Sequence, residues 1–236
     1  MKIGAIILAR LDSRRLPDKA LRDLNGQPLI QYAFDACAAA AGVDQVILAT
    51  TVLPADDRLA RYAVDRGVAC FRGDADDVAG RFLGTMRHYG LDAALRYNGD
   101  SPLNRPALLA QGIAAFREAR WDLVTNVPGR TFPFGISVEV IGTPIMQAAC
   151  AAMTDASQRE HVTKFFYDVP TFARTRHLRA VDGISGVRLA VDDGEDLERA
   201  RFVLDRLREP LRDAALSTIV NLARDYDRQR GAGVTP

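Results

Sequence analysis

Residues 5–21, AIILARLDSRRLPDKAL, run from five apolar positions straight into Arg10, Arg14, Arg15 and Lys19. Cations gathered where a buried strand surfaces can hold an anion. Arginine offers a fork to phosphate oxygens and lysine a compact point charge. The loop has no glycine before Gly26, and the chain carries neither GxxxxGK[ST] nor GxGxxG. Backbone N–H groups therefore cannot wrap a phosphate here as they do in glycine-rich loops, and side chains must supply the charge. A solvated basic loop paired with Asp12 or Asp18 would have the same composition. Two further acid-bearing stretches stand out. Asp100 lies in NGDSPL, where it could also be a turn residue or helix cap. Asp192 lies in LAVDDGEDL, where Asp193, Glu195 and Asp196 suit a helix N-terminus.

The elements that must position these residues follow from periodicity. Strands are expected over 2–9, 43–51, 68–73, 93–103 and 121–127, and helices over 28–41, 56–67, 76–89 and 104–119. This alternation predicts an α/β fold, a Rossmann-like, mostly parallel sheet with helices on both faces. In such sheets ligands bind beyond the carboxyl ends of the strands. Three polar segments fall there: 9–19, 71–77 and 98–103. After residue 127 the pattern changes to a loop and alternating strand (129–142), a helical stretch (157–170), and a strand, polar turn and long helix (186–207). The reading is one domain over 1–225, followed by a flexible tail over 226–236.

Composition removes several classes of function. The 236 residues carry a net charge of only +1, so no nucleic acid or anionic membrane is expected as partner. No apolar run approaches the roughly 20 residues of a spanning helix. With a strand beginning at residue 2, no secretory leader is expected, and the cytoplasm is the expected location. Cys37, Cys70 and Cys150 are few, odd in number and far apart, so neither disulfides nor a zinc site is expected. His88 and His177 have no supporting motif.

The spacing of the basic loop resembles the signature of the cytidylyltransferases that make CMP-activated acidic sugars, A-R-x-x-S-x-R-[LF]-P-x-K. Ala9, Arg10, Ser13, Arg15, Leu16, Pro17 and Lys19 match it. LNGQPLIQYAF, FRGDADDVAGRF, RYNGDSPL, REHVT and RLAVDDGEDLERAR follow in the family's order. Together they are most similar to the spore coat polysaccharide biosynthesis protein F branch, over about residues 1–205.

The resemblance implies Mg-dependent transfer of CMP from CTP to an acidic sugar, Kdo-like or sialic-like, releasing pyrophosphate for surface polysaccharide. It implies Asp100 and Asp192 as magnesium ligands, with Arg10 and Lys19 holding the triphosphate and Ser13 and Arg15 supporting the loop. Phe71, Arg72 and Gly73 would border the cytosine, with Leu8 and Ala9 at its edge. Asn98 and Gly99 would lie against ribose and phosphates. Residues 127–185 would form a small acceptor-side flap that also contributes to a homodimer. Its acceptor-binding candidates are Arg130, Glu139, Arg159, Glu160 and His161, the last placed to orient the acceptor hydroxyl or take its proton, or else to serve as a structural helix residue.

Relatives often carry P-D-G-x-D-x-E where this chain has PFGISVE. Phe134 and Ser137 replace two acids while Glu139 stays. The acceptor is therefore less hydroxylated than a nine-carbon acidic sugar, or is a phosphonate, or turnover is lost. A nucleotide-sugar glycosyltransferase would need an Asp-x-Asp pair, and YNGD supplies one acid. A non-catalytic nucleotide-binding homologue would not need both Asp100 and Asp192.

Overall fold

The computed structural model of the protein describes residues 1–180 and 184–232. Residues 181–183 of the expected flap and 233–236 of the expected tail lie outside the described residues. Strand β1 (Ile3–Leu8) is apolar throughout and buried on both faces, as a central parallel strand must be. The basic loop leads from it into a two-residue hairpin, β2 (Asp23–Leu24) and β3 (Gln27–Pro28). Its turn is Asn25–Gly26, both with positive φ (53° and 85°), the conformation this dipeptide adopts at least cost.

Helix α1 (Leu29–Ala38), β4 (Gln45–Thr51), α2 (Asp57–Asp65), β5 (Ala69–Gly73), α3 (Val78–His88), β6 (Ala93–Asn98), α4 (Pro106–Glu118) and β7 (Leu123–Thr125) follow in alternation. The second half adds β8 (Glu139–Gly142), α5 (Thr143–Ala152), α6 (Ala156–Glu160), α7 (Lys164–Asp168), β9 (Thr175–His177), α8 (Gly194–Arg206) and α9 (Leu216–Ala232). The seven-stranded sheet has the order β5-β4-β1-β6-β8-β7-β9. β8 alone runs against its neighbours, pairing antiparallel with both β6 and β7.

Two apolar layers cover the sheet. Ile30 and Phe34 of α1, Leu59 of α2 and Ile113 of α4 pack on one face. Phe82 and Met86 of α3, Met146 of α5 and Phe166 of α7 pack on the other. A third cluster joins α8 and α9 to the hairpin and to Leu16, Leu103, Ile136 and Val191. No helix among the described residues is long and apolar enough to cross a membrane.

The mostly parallel sheet with helices on both faces is as the sequence reading expects, and four details differ. The expected strand after residue 186 is an isolated bridge between Arg188 and Phe134. The expected helix over 157–170 breaks into α6 and α7, because His161 leaves helical geometry and Val162 turns fully into the core. Helix α5 and strand β9 have no counterpart in the sequence reading. Helix α9 passes the expected tail boundary at 226, since buried Tyr226 packs on Phe202 with ring centroids 5.4 Å apart and Asp227 pairs with Arg199 at 2.8 Å.

Candidate active site

A cleft of about 750 Å³ opens at the carboxyl ends of β1 and β6. Its walls are the loop after β1, the first turns of α3, the end of β6, the α6–α7 junction and the segment before α8.

The loop after β1 is pinned by what it buries. Leu11 and Leu16 are buried, and Leu11 N–H donates to buried Asp56 at 2.7 Å. The hydroxyl of Ser13 accepts from Leu16 N–H at 3.4 Å. Asp18 adopts a left-handed conformation (φ 57°) and starts a single 3-10 turn over Lys19–Leu21. These anchors leave Arg10 and Arg15 exposed and turn Lys19 inward, its side chain 15% exposed.

Lys19 Nζ donates to Asp100 Oδ2 and Asp192 Oδ1, each at 3.1 Å. The two carboxylates come together because Val191 N–H donates to the Asp100 carbonyl at 2.8 Å, locking their segments side by side. Asp192 also pairs with Arg15 at 3.2 Å and with Arg188. Burial alone would raise the Asp192 pKa. The Lys19 hydrogen bond and the Lys19, Arg188 and Arg15 charges oppose it and hold the carboxyl below its usual value. The acids that follow have other partners. Asp193 caps α8 by accepting from Asp196 N–H at 3.0 Å. Buried Asp196 is held by Arg188 at 3.1 Å and Arg199 at 2.6 Å.

Gly99 must be glycine for the end of β6 to lie against β1. A Cβ there would sit 2.8 Å from the Ala9 Cβ and 2.7 Å from Ile30. Gly99 N–H donates to the Leu8 carbonyl at 3.0 Å, closing the cleft floor.

The structure thus brings Leu8, Ala9, Arg10, Ser13, Arg15 and Lys19 together with Asn98, Gly99, Asp100 and Asp192, and adds Glu160 and His161 from the α6–α7 junction. Six other sequence candidates are not in the cleft wall. The Phe71 ring packs beside His88 with centroids 5.6 Å apart. Arg72 donates to the carbonyls of Thr51 (2.8 Å) and Leu53 (2.9 Å) and pairs with Asp57 at 2.7 Å. The Gly73 carbonyl accepts from Val52 N–H at 3.0 Å. Arg159 ties α6 to α3 through Asp77 at 3.2 Å. Arg130, at positive φ (43°), lies 5.0 Å over the Phe134 ring, which Arg188 covers at 4.4 Å. Glu139 is 1% exposed and paired with Arg96 and Tyr167. The other departure from the family pattern, Ser137, accepts from Asn104 Nδ2 at 2.8 Å through its carbonyl.

Two arginines of the cleft wall have no counterpart among the sequence candidates. Arg81 is buried at the end of the first turn of α3 and donates to the Asp74 and Ala75 carbonyls. Burial, and next the Arg10 charge, lower its pKa. Arg96 precedes Asn98 by two residues on β6, so strand alternation places both on one face. That period is the signal that could have found it.

Comparison with known proteins gives one family. A family model described as cytidylyltransferase matches residues 4–189. The chain is 28% identical to the spore coat polysaccharide biosynthesis protein SpsF of Bacillus subtilis, over 96% of this chain and 97% of that protein. Among solved structures, it resembles a cytidylyltransferase from Leptospira borgpetersenii with a TM-score of 0.87 at 23% identity, covering 98% of this chain and 96% of that one. It also resembles a CMP:2-keto-3-deoxy-manno-octonic acid synthetase complexed with CTP, with a TM-score of 0.69 at 18% identity, covering 87% and 99%.

Proposed function

The chain belongs to the cytidylyltransferase family and is a CTP-dependent nucleotidyltransferase, and from that premise we propose that its cleft transfers CMP from CTP to an acidic sugar with release of pyrophosphate. The observation that carries the reading is Lys19 Nζ, in the loop after β1, held 3.1 Å from both Asp100 and Asp192. An acceptor oxygen attacks the α-phosphorus, the bond to the bridging oxygen breaks, and pyrophosphate leaves. Such a reaction needs alignment and neutralised charge more than covalent help.

In this reading Arg10, Arg15 and Lys19 bind the triphosphate from the loop after β1, and Ser13 keeps that loop in shape. Leu8, Ala9, Asn98 and Gly99 form the floor against base and ribose. Arg72 and Arg159 act behind the wall, because their guanidinium groups already hold the β4–α2 connection and α3. His161 and Glu160 face the acceptor, and His161 orients its hydroxyl or takes its proton.

The residues fit a magnesium ion. Two hard carboxylate donors, Asp100 and Asp192, already converge on one cation, the Lys19 ammonium, and magnesium is held by one or two carboxylates plus phosphate oxygens and water. No cluster of three His, Cys, Asp or Glu side chains lies among the described residues, so phosphates would complete the shell. When bound, the ion supplies charge neutralisation to the phosphates. The reading includes a homodimer involving residues 127–185 and a cytoplasmic location.

Calorimetry with CTP, UTP, GTP and ATP, each with and without magnesium, tests it. Magnesium-dependent binding selective for CTP, followed by pyrophosphate release with an acidic sugar, is the expected result. CTP bound equally well with and without magnesium, and no pyrophosphate released, would remove it.

A further inference from the structure

Arg96 sits in the cleft wall, and its support comes from the neighbouring strand β8 on the same face of the sheet. Strand register sets Arg96 of β6 opposite Glu139 of β8, and Glu139 opposite Thr125 of β7. Glu139 binds Arg96 Nη1 through one oxygen and accepts from the Tyr167 hydroxyl through the other. Tyr167 in turn shares a 2.9 Å hydrogen bond with Thr125 Oγ1. The row is satisfied from Thr125 to Glu139 and stops short at Arg96, whose Nε is buried without a partner. A buried ion pair contributes little to stability against an apolar pair of the same size. This one fixes a guanidinium in the cleft wall with donors to spare.

Resting on the acceptor reading above, we propose that Arg96 determines acceptor specificity by binding the acceptor's oxyanion, a carboxylate or phosphonate, with Glu139 and Tyr167 as its positioning residues. The cations of the basic loop and the paired aspartates line the same cleft at the ends of β1 and β6. Arg96 lies two residues, about 7 Å, further down β6 than Asn98. It lines the same cleft as His161 and Glu160. A guanidinium binds an oxyanion through paired N–H donors, and a site built for that bond rejects analogues without it. The sequence reading made Glu139 an acceptor-binding residue. Its burial places it one residue behind, holding the arginine.

The test measures pyrophosphate release from CTP with three probes: 3-deoxy-manno-octulosonate, N-acetylneuraminate and 2-aminoethylphosphonate. The probe turned over fastest by the wild-type enzyme is carried to the variants, which separates a carboxylate from a phosphonate acceptor. Arg96→Gln should raise the acceptor KM about 10- to 100-fold, leave the CTP Kd within about twofold, and be partly rescued by Arg96→Lys. Tyr167→Phe, which keeps the guanidinium, should raise the acceptor KM by about threefold with kcat unchanged. An unchanged acceptor KM in both, or a parallel loss of CTP affinity in Arg96→Lys, overturns the assignment. Wild-type enzyme that binds CTP but turns over none of the three overturns the acceptor reading itself, and this assignment falls with it.

Discussion

Lys19 Nζ and Asp192 Oδ1 lie 3.1 Å apart across 173 residues of chain. The contact joins the first loop of the fold to the segment that launches α8, and Asp100 closes it from β6. Lys19 thus has two partners to lose. In Lys19→Ala the two carboxylates face one another, Asp192 still paired to Arg15 and Arg188 and Asp100 left with the Ser101 hydroxyl. Turnover should fall by about 10²- to 10³-fold, as for other preorganised electrostatic donors. Steady-state pyrophosphate release, with circular dichroism as the folding control, checks this. Near-normal turnover would take Lys19 out of the chemistry.

Arg72 offers a sharp contrast. Its guanidinium holds two backbone carbonyls and Asp57 at the start of α2. Arg72→Ala should therefore lower stability by about 1–3 kcal/mol, or some 3–10 °C in Tm for a chain of this size. The preference for CTP over UTP should stay as it is. A changed base preference at constant Tm would return Arg72 to the cytosine, where the sequence pattern set it.

These two residues mark how far the sequence could be read. The alternation of elements through residue 127 and the loop at 9–19 are local patterns, and both survive in the fold. Arg10 and Asp100 follow the ends of β1 and β6, where periodicity sets them at one edge, whereas Lys19 and Asp192, in a 3-10 turn and after an isolated bridge, were set beside them by the resemblance. Arg72, Glu139 and Arg159 were legible as residue types but not as directions. Which way each side chain points depends on partners such as Leu53, Arg96 and Asp77, which no spacing reveals. The reversed β8 and the isolated bridge at Arg188 are decided by which strands neighbour each other, a non-local outcome.

That bridge rests on Gly135. With φ at 97°, a Cβ there would stand 2.4 Å from the Ala190 nitrogen and 2.7 Å from the Leu189 carbonyl carbon. The flanking bonds, Phe134 N–H to Val187 O (3.0 Å) and Leu189 N–H to Phe134 O (2.7 Å), hold the segment that ends at Asp192. Gly135→Ala must push the two backbones apart. It should cost more than about 2 kcal/mol and reduce turnover together with Tm. Thermal melts and pyrophosphate assays on the same preparation test the coupling. Loss of either one alone would break the link between Gly135 and Asp192.

Cys150 gives a prediction about pH. Burial, and next the Asp77 carboxylate, push its thiol up to about 11 against the opposing charges of Arg159 and Arg87. Its Sγ donates to the Ala79 carbonyl at 3.7 Å, which also favours the protonated form. A folded-state pKa above the unfolded one stabilises the fold below the ordinary thiol range, about 8.5, and that contribution disappears as pH rises through about 11. Cys37 is fully buried and its thiol is raised further, and burial raises Cys70 as well. In the native protein at pH 8, a disulfide-exchange reagent should therefore react slowly with all three thiols, and rapidly with all three after unfolding. Native-state reactivity of Cys150 should climb only as pH approaches 11. Rapid labelling of Cys150 at pH 8 would mean that α5 does not pack on α3 as described.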